Sequence, residues 1–137
     1  MNDYLEPRLE GDRVLSLLKA LPGWGNTTTI VFSHGCVFEY KGNFPAGRLA
    51  EGYYNLDGPT TGFHGHLRLD ALAQVRFQNK PHRGRASYAF VFLDESGNTV
   101  FKLFLGRGKD GEVLPQQLQE FQRIRTTLTI GETLNEK

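Results

Sequence analysis

The most constraining feature of this sequence is a pair of apolar segments, "ASYAFVFLD" and "TVFKLFLG", separated by the four residues "ESGN". Both segments are rich in aromatic and β-branched residues, and a short Gly-containing stretch between two such runs is typical of a β-hairpin. We therefore predict an antiparallel hairpin here. Because such a hairpin has an apolar face, other elements of the chain must cover it.

Further strands are predicted on both sides of this hairpin. The segments "TTTIVF" and "CVFEYKG" flank a turn at Ser33-His34-Gly35, and one strand is predicted across "AEGYYNL". The turn "DGPTTG" leads to "FHGHLRLD", in which polar and apolar residues alternate. The segment "ALAQVRFQ" fits a helix or a strand, and we favour a strand because Val75 and Phe77 alternate before the breaker "NKPHRG".

Two segments have helical spacing instead. "GDRVLSLLKALPGWG" repeats apolar residues at the helical period before Pro22 and Gly23 end the pattern. Near the C-terminus an apolar stripe marks an amphipathic helix: Leu114, Leu118, Phe121, Ile124 or Arg125, and Leu128. This order of elements predicts one α+β domain over residues 1–137, with a twisted antiparallel, barrel-like sheet packed by N- and C-terminal helices.

Composition limits the classes of function. The 137 residues include 16 basic and 15 acidic side chains, so a dominant attraction to nucleic acid or to an anionic membrane is not expected. No apolar run approaches the roughly 20 residues that cross a bilayer, and "MNDYLEPRLEGDR" lacks the apolar region of a secretory signal. The single cysteine, Cys36, excludes an internal disulfide, and its apolar neighbours predict that it is buried. We predict a cytoplasmic protein.

Catalytic motifs are absent from the sequence. There is no G-x-S-x-G elbow, phosphate-binding loop with lysine, or H-E-x-x-H helix. One cysteine also excludes thiolate zinc sites and iron–sulfur clusters within one chain.

The stretch "GYYNLDGPTTGFHGHLRL" holds two tyrosines and two histidines. On a strand, His64 and His66 point to the same face, whereas Tyr53 and Tyr54 point to opposite faces, so only one tyrosine shares a face with His66. The histidines fit either a water-facing polar side or a ligand site, since imidazole and phenolate both bind haem iron. The residues alone leave this question open.

A loop further along carries several cations, Lys80, His82, Arg83 and Arg85. We favour a solvated loop, and the alternative is a loop that pairs with carboxylates of a ligand such as haem propionates.

The ordered motifs "WGNTTTIVF", "VFEYKGNFPAG", "GYYNLDG", "GFHGHL", "VFLDESGNTVFKLFLGR" and "QLQEF" resemble those of the HutX/ChuX family of haem-utilisation proteins. The resemblance runs from about Trp24 to Arg125. That family is related to half of the larger HemS/ChuS proteins. The resemblance implies a bacterial cytoplasmic haem carrier that forms a homodimer and exchanges haem with a donor or acceptor protein.

The resemblance also implies site residues. The histidine of the family's "GH" motif falls on His66 and the first tyrosine of its "GY(F/Y)NL" motif on Tyr53, and these are the predicted iron ligands. His64, His34 and Arg83 complete the predicted haem-binding set. A further family histidine, at the end of the "WGNxTT" strand, is replaced by Phe32, and His34 follows two residues later.

Three functions are weighed. The leading one is a non-enzymatic haem carrier. The alternatives are a haem-degrading enzyme of the HemS/ChuS type and a flavin-binding split-barrel protein.

Overall fold

The computed structural model describes residues 4–58, 62–128 and 130, which form nine strands and two α-helices. The strands are β1 (Tyr4–Glu10), β2 (Asn26–Ser33), β3 (Cys36–Asn43), β4 (Gly47–Ala50), β5 (Tyr53–Leu56), β6 (Gly65–Arg68), β7 (Gln74–Asn79), β8 (Tyr88–Leu93) and β9 (Thr99–Leu105). The helices are α1 (Asp12–Ala20) and α2 (Pro115–Thr127), and short 3-10 helices cover Leu21–Trp24 and Leu69–Ala71.

These strands form two antiparallel sheets. The large sheet has six strands in the order β1-β7-β8-β9-β2-β3, and the small sheet has three in the order β4-β5-β6. The predicted α+β class, with an antiparallel sheet and packed helices, is confirmed. The large sheet is nevertheless open, with β1 and β3 at its edges, and does not close into a barrel.

The predicted hairpins of the large sheet are confirmed. Between β8 and β9, the Asp94 carboxylate accepts hydrogen bonds from the backbone N–H groups of Ser96 and Asn98, both at 2.9 Å. Between β2 and β3, His34 and Gly35 have φ values of 52° and 84°, as the two central residues of a type I′ turn require. The ambiguous segment around Val75 is strand β7, as predicted.

Two strand predictions are wrong in detail. The stretch "AEGYYNL" is a hairpin rather than one strand, because Glu51 and Gly52 take φ values of 56° and 85° and reverse the chain between β4 and β5. Strand β1 was not predicted, since only Leu9 of its side chains is fully buried and no alternation is visible. Its strand conformation comes from pairing with β7, which is distant in sequence.

The core lies between one face of the large sheet and the two helices. Phe121 of α2 is fully buried, and its ring centroid lies 5.3 Å from that of Phe77 and 5.0 Å from that of Phe90. Leu17 and Leu18 of α1 are also fully buried. Both predicted helices therefore exist and cover the apolar side of the sheet.

Aromatic side chains join the small sheet to this core. The ring of Phe63 stacks on Tyr40 of β3 at 4.9 Å between centroids and meets Phe44 edge-on at 6.2 Å. Tyr54 and Leu56 of β5 are buried. The small sheet therefore has an apolar inner face, and its outer face is left to polar residues.

Cys36 is exposed, so the prediction that it is buried is wrong. It begins β3 at the tip of the β2–β3 hairpin, where Val37 and Phe38 point to opposite faces and are 53% and 63% exposed. Since apolar residues on both faces of the tip remain exposed, the tip extends beyond the elements that cover the sheet. The apolar neighbours of Cys36 are therefore exposed with it.

Candidate functional site

The register of the small sheet places a polar group on its outer face. Tyr53 pairs with Arg68 and Asn55 pairs with His66 across β5 and β6, and paired residues share a face. Tyr54 pairs with Leu67 on the inner face. The prediction that only one tyrosine shares a face with His66, and that it is Tyr53, is confirmed.

Tyr53 and His66 are neighbours on that face. Their ring centroids are 6.2 Å apart with an interplanar angle of 79°, which is an edge-to-face arrangement. The side chain of Tyr53 is 39% exposed, and His66 is exposed as well. Both aromatic side chains are therefore accessible from solvent on the same side of the sheet.

Tyr54 has the opposite environment. It is 1% exposed, and burial raises the pKa of its phenol, while a backbone hydrogen bond with Gly47 acts in the lowering direction and the charge of Asp57 raises it further. A raised pKa keeps the phenol neutral, whereas an iron ligand must be a phenolate. Of the two tyrosines, only Tyr53 has access to a ligand.

An open groove of about 600 Å³ lies over the outer face. Its lining residues are Arg48, Ala50, Glu51, Tyr53, Asn55, Asp57 and His66. Sites for cofactors and small molecules have volumes of roughly 300–1,000 Å³. The groove carries charges of both signs, and Arg48 Nε lies 3.6 Å from Asp57 Oδ2.

One ring nitrogen of His66, Nδ1, has a hydrogen-bond partner. Its Nδ1 lies 2.6 Å from Asn55 Oδ1. The ring is not enclosed by apolar side chains with its nitrogens bonded to backbone, which is the arrangement expected of a histidine that only packs. It borders the groove instead.

The other predicted haem-binding residues do not line this groove. His64 is exposed just before β6, and His34 lies in the β2–β3 turn with its Nδ1 3.0 Å from Ser33 Oγ. Arg83, with φ of 53°, is exposed in the connection between β7 and β8. Phe32 lies in β2, with Lys102 Nζ 5.9 Å from its ring centroid. Haem binding by His64, His34 and Arg83 stays a prediction.

Part of the predicted cationic loop borders a different groove. This second groove, also of about 600 Å³, lies along the large sheet on the side away from the helices. Lys80 and His82 line it, together with Lys41, Lys102 and Arg107. Arg85 instead contacts Glu112, with 3.4 Å between Nη1 and Oε2. The loop and the Tyr53–His66 face thus belong to separate surfaces.

Five of the seven groove residues were not predicted, Asn55 and Arg48 among them. Asn55 lies two residues after Tyr53 in the same strand, so strand alternation alone carries the signal that it shares a face with Tyr53. Arg48 was missed because the predicted strand covered only residues 50–56, so Arg48 had no predicted strand partner. Only the turn at Glu51-Gly52 brings Arg48 opposite Asn55.

The donor set fits haem better than a bare metal ion. Within residues 4–58, 62–128 and 130, no three His, Cys, Asp or Glu side chains cluster as a metal site would need. Haem requires only axial ligands from the protein, and tyrosine and histidine both serve as such. In the same part of the chain, neither helix is long and apolar enough to span a membrane.

The chain is similar in sequence to a known protein. The chain is 39% identical over 117 residues to the intracellular heme transport protein HutX of Vibrio cholerae, covering 85% of this chain and 61% of that protein. The chain thus spans less than two thirds of that relative.

Solved structures are similar as well. The structure of the heme-binding protein ChuX matches with a TM-score of 0.80 at 26% identity, covering 88% of this chain and 76% of that one. The E. coli heme oxygenase ChuS matches with a TM-score of 0.71 at 18% identity over 91% of this chain and 38% of that one, which shows a shared fold only. The model of the haem utilisation ChuX/HutX family matches residues 7–124, and the chain belongs to this family.

Proposed function

We propose that the chain binds haem on the outer face of the small sheet and carries it within the cytoplasm to an acceptor protein, without degrading it. The observation that carries the proposal is the edge-to-face contact of the Tyr53 and His66 rings on one exposed face, beside a groove of about 600 Å³. The names of two relatives, a heme transport protein and a heme-binding protein, support it.

The residues of this face have distinct roles in the proposal. His66 or the phenolate of Tyr53 provides the axial ligand to iron. Arg48 borders the groove and Arg68 is the cross-strand partner of Tyr53. Each contacts a carboxylate through Nε, Arg48 that of Asp57 and Arg68 that of Asp70, and in the proposal their remaining N–H groups pair with the propionates of haem. An open groove suits a carrier, because a partner must reach the haem to accept it.

Hemin titration tests the proposal. The wild-type chain should develop a Soret band that saturates, and His66→Ala should bind more weakly with a changed spectrum. Tyr54→Phe is the control, because Tyr54 is buried on the inner face of the small sheet, and it should bind as the wild type does. Absence of a saturable Soret band in the wild type contradicts haem binding.

A second step separates the carrier from the enzymatic alternative. When a reductant is added to the hemin complex in air, a carrier retains its Soret band and a haem-degrading enzyme loses it. A parallel titration with flavin tests the third function, and no binding is expected.

We also infer that two copies of the chain associate. The support is the open large sheet, whose edge strand β3 carries Val37 and Phe38 at 53% and 63% exposure. Unpaired edges with apolar side chains favour association, and two-fold dimers are the commonest closed assembly.

A further inference from the structure

The amide of Asn55 has a fixed orientation on the outer face of the small sheet. Its Nδ2 lies 3.2 Å from each of three backbone carbonyl oxygens, those of Arg48, Ala50 and Tyr53. Carbonyl oxygens only accept hydrogen bonds, so the NH₂ group of the amide must face them. The amide oxygen therefore points the other way.

That oxygen faces His66. The distance from Asn55 Oδ1 to His66 Nδ1 is 2.6 Å, and the two residues are direct cross-strand partners. An amide oxygen has lone pairs but no hydrogen to donate. Nδ1 of His66 must therefore carry the hydrogen of this bond. In the neutral ring, Nε2 is then the nitrogen with a free lone pair.

We propose that Asn55 is a positioning residue that holds His66 in the Nδ1–H tautomer and presents Nε2 as the nitrogen that binds iron. The assignment of iron as the ligand rests on the proposed function, whereas the tautomer does not. Among the described residues, Nδ1 is the one ring nitrogen of His66 with a hydrogen-bond partner. Nε2 is thus free to take a ligand.

The three carbonyls make this arrangement directional. If the amide of Asn55 turned over, its oxygen would face three carbonyl oxygens and its NH₂ would face His66 Nδ1. The strand pairing of β4 with β5 fixes these carbonyls in place, since Arg48 is the direct partner of Asn55. The hairpin backbone therefore sets the side of the imidazole that carries hydrogen.

Removal of the Asn55 side chain is expected to lower the affinity for hemin. When the acceptor is removed, the ring is free to rotate and to carry its hydrogen on Nε2, which blocks the ligand lone pair. Residues that orient a metal-binding histidine change metal affinity by about 10- to 100-fold when they are substituted. We expect a fall of this size in hemin affinity for Asn55→Ala.

Nitrogen NMR of the imidazole groups tests the tautomer in the haem-free chain. Long-range ¹H–¹⁵N correlations distinguish Nδ1–H from Nε2–H, and the His66 signals are those absent from the spectrum of His66→Gln. The wild type should show the Nδ1–H form. If wild-type His66 carries its hydrogen on Nε2, the proposal is overturned, and this test needs no substitution at Asn55.

Two variants then test the effect on binding. Asn55→Ala removes the acceptor, and Asn55→Asp keeps an acceptor oxygen while removing the NH₂ group. The alanine variant should lose the Nδ1–H signature and bind hemin about 10- to 100-fold more weakly. The aspartate variant should also bind hemin more weakly than the wild type, because one of its carboxylate oxygens would face the three carbonyl oxygens. Unchanged hemin binding in Asn55→Ala, or an unchanged Nδ1–H signature in that variant, overturns the proposal.

The two proposals fail in different ways. If the wild type shows Nδ1–H but no Soret band, the proposal of haem binding is wrong. The proposal that Asn55 sets the tautomer of His66 then still holds, with a ligand other than haem. If hemin binds and the wild type shows Nε2–H, haem binding stands and the role of Asn55 is wrong.

Discussion

Tyr53 and Tyr54 are adjacent in the chain and lie on opposite faces of β5, so that one borders an open groove and the other is buried in the core. Only Tyr53 contacts the His66 ring edge-to-face. The same residue type thus serves two purposes within one strand. This separation makes the pair a matched test of the site.

The first prediction concerns the phenol groups. Tyr53→Phe should change the hemin spectrum and weaken binding, because among the described residues Tyr53 is the tyrosine that lines the groove, and its phenol oxygen is removed. Tyr54→Phe should leave the hemin spectrum as it is in the wild type. Hemin titrations of both variants, beside the wild type, measure this. If the two variants behave alike, Tyr53 has no special role in binding.

The second prediction concerns alkaline stability and Tyr54. Burial raises the pKa of its phenol above the ordinary value of 10.0, so the folded chain binds this proton more tightly than the unfolded chain. The resulting stability is complete below pH 10 and is lost as the pH rises toward the folded pKa.

Comparison of two chains isolates this contribution. Between pH 10 and the folded pKa, the free energy of unfolding of the wild type should fall relative to that of Tyr54→Phe by about 1.4 kcal/mol per pH unit. Urea unfolding of both chains from pH 8 to 11 measures the difference. A difference that does not change with pH contradicts the burial of Tyr54 as the cause.

The third prediction concerns the backbone of the β4–β5 hairpin. A Cβ at Gly47 would lie 2.6 Å from the Asn55 carbonyl oxygen and 2.9 Å from Tyr54 Cε2. Gly47→Ala must therefore push β4 away from β5, at a cost of about 1–3 kcal/mol in the free energy of unfolding. Since Asn55 binds the carbonyls of this hairpin, hemin affinity should fall as well.

Gly65 provides the control for this substitution. A Cβ at Gly65 would meet only Leu56 Cδ1 at 3.9 Å, an ordinary contact, although Gly65 is next to His66. Gly65→Ala should therefore change stability by less than about 1 kcal/mol, the size of a glycine's backbone effect. Equal destabilisation of both variants, measured by urea unfolding, argues against the close approach at Gly47.

The fourth prediction concerns association. The homodimer should have twice the 15.4 kDa mass of one chain, and Phe38→Lys should weaken it, because lysine on an edge strand opposes pairing with another chain. Light scattering at micromolar concentration measures both. A mass of 15.4 kDa for the wild type contradicts the dimer. An unchanged dimer in Phe38→Lys means that the interface lies elsewhere.

Local patterns predicted most of the strands and both helices because each has a periodic signal of its own. The β8–β9 hairpin has two apolar runs and a turn, and α2 has Phe121 and Ile124 on its buried stripe. Strand β1 has no such signal, since it is defined by its pairing with β7 about 70 residues away.

Part of the site could also be predicted from a local periodic pattern. Alternation placed His66 on one face of β6, and the family resemblance selected Tyr53. Asn55 was missed because its role depends on the pairing of β5 with both of its neighbours. Such pairing is a tertiary contact that a single segment does not reveal.

Gln117 shows the limit of apolar patterns and carries the fifth prediction. It is a polar residue on the buried side of α2, 5% exposed, where the predicted stripe names only its apolar neighbours. Its Oε1 accepts a hydrogen bond from Gly106 N at 2.7 Å, and its Nε2 donates to the carbonyls of Trp24 and Asn26, both at 2.9 Å. One amide thus connects α2 to the end of β9 and the start of β2.

Gln117→Leu keeps a similar volume but leaves these backbone groups without their partner. An unsatisfied buried polar group costs about 1–3 kcal/mol, so the free energy of unfolding should fall by at least this amount. Gln119→Leu is the matched control, since Gln119 is exposed on the same helix and the two residue types have similar helix propensity. Urea unfolding should show a loss at Gln117 and almost none at Gln119. Equal effects of the two substitutions would mean that the buried amide network does not anchor α2.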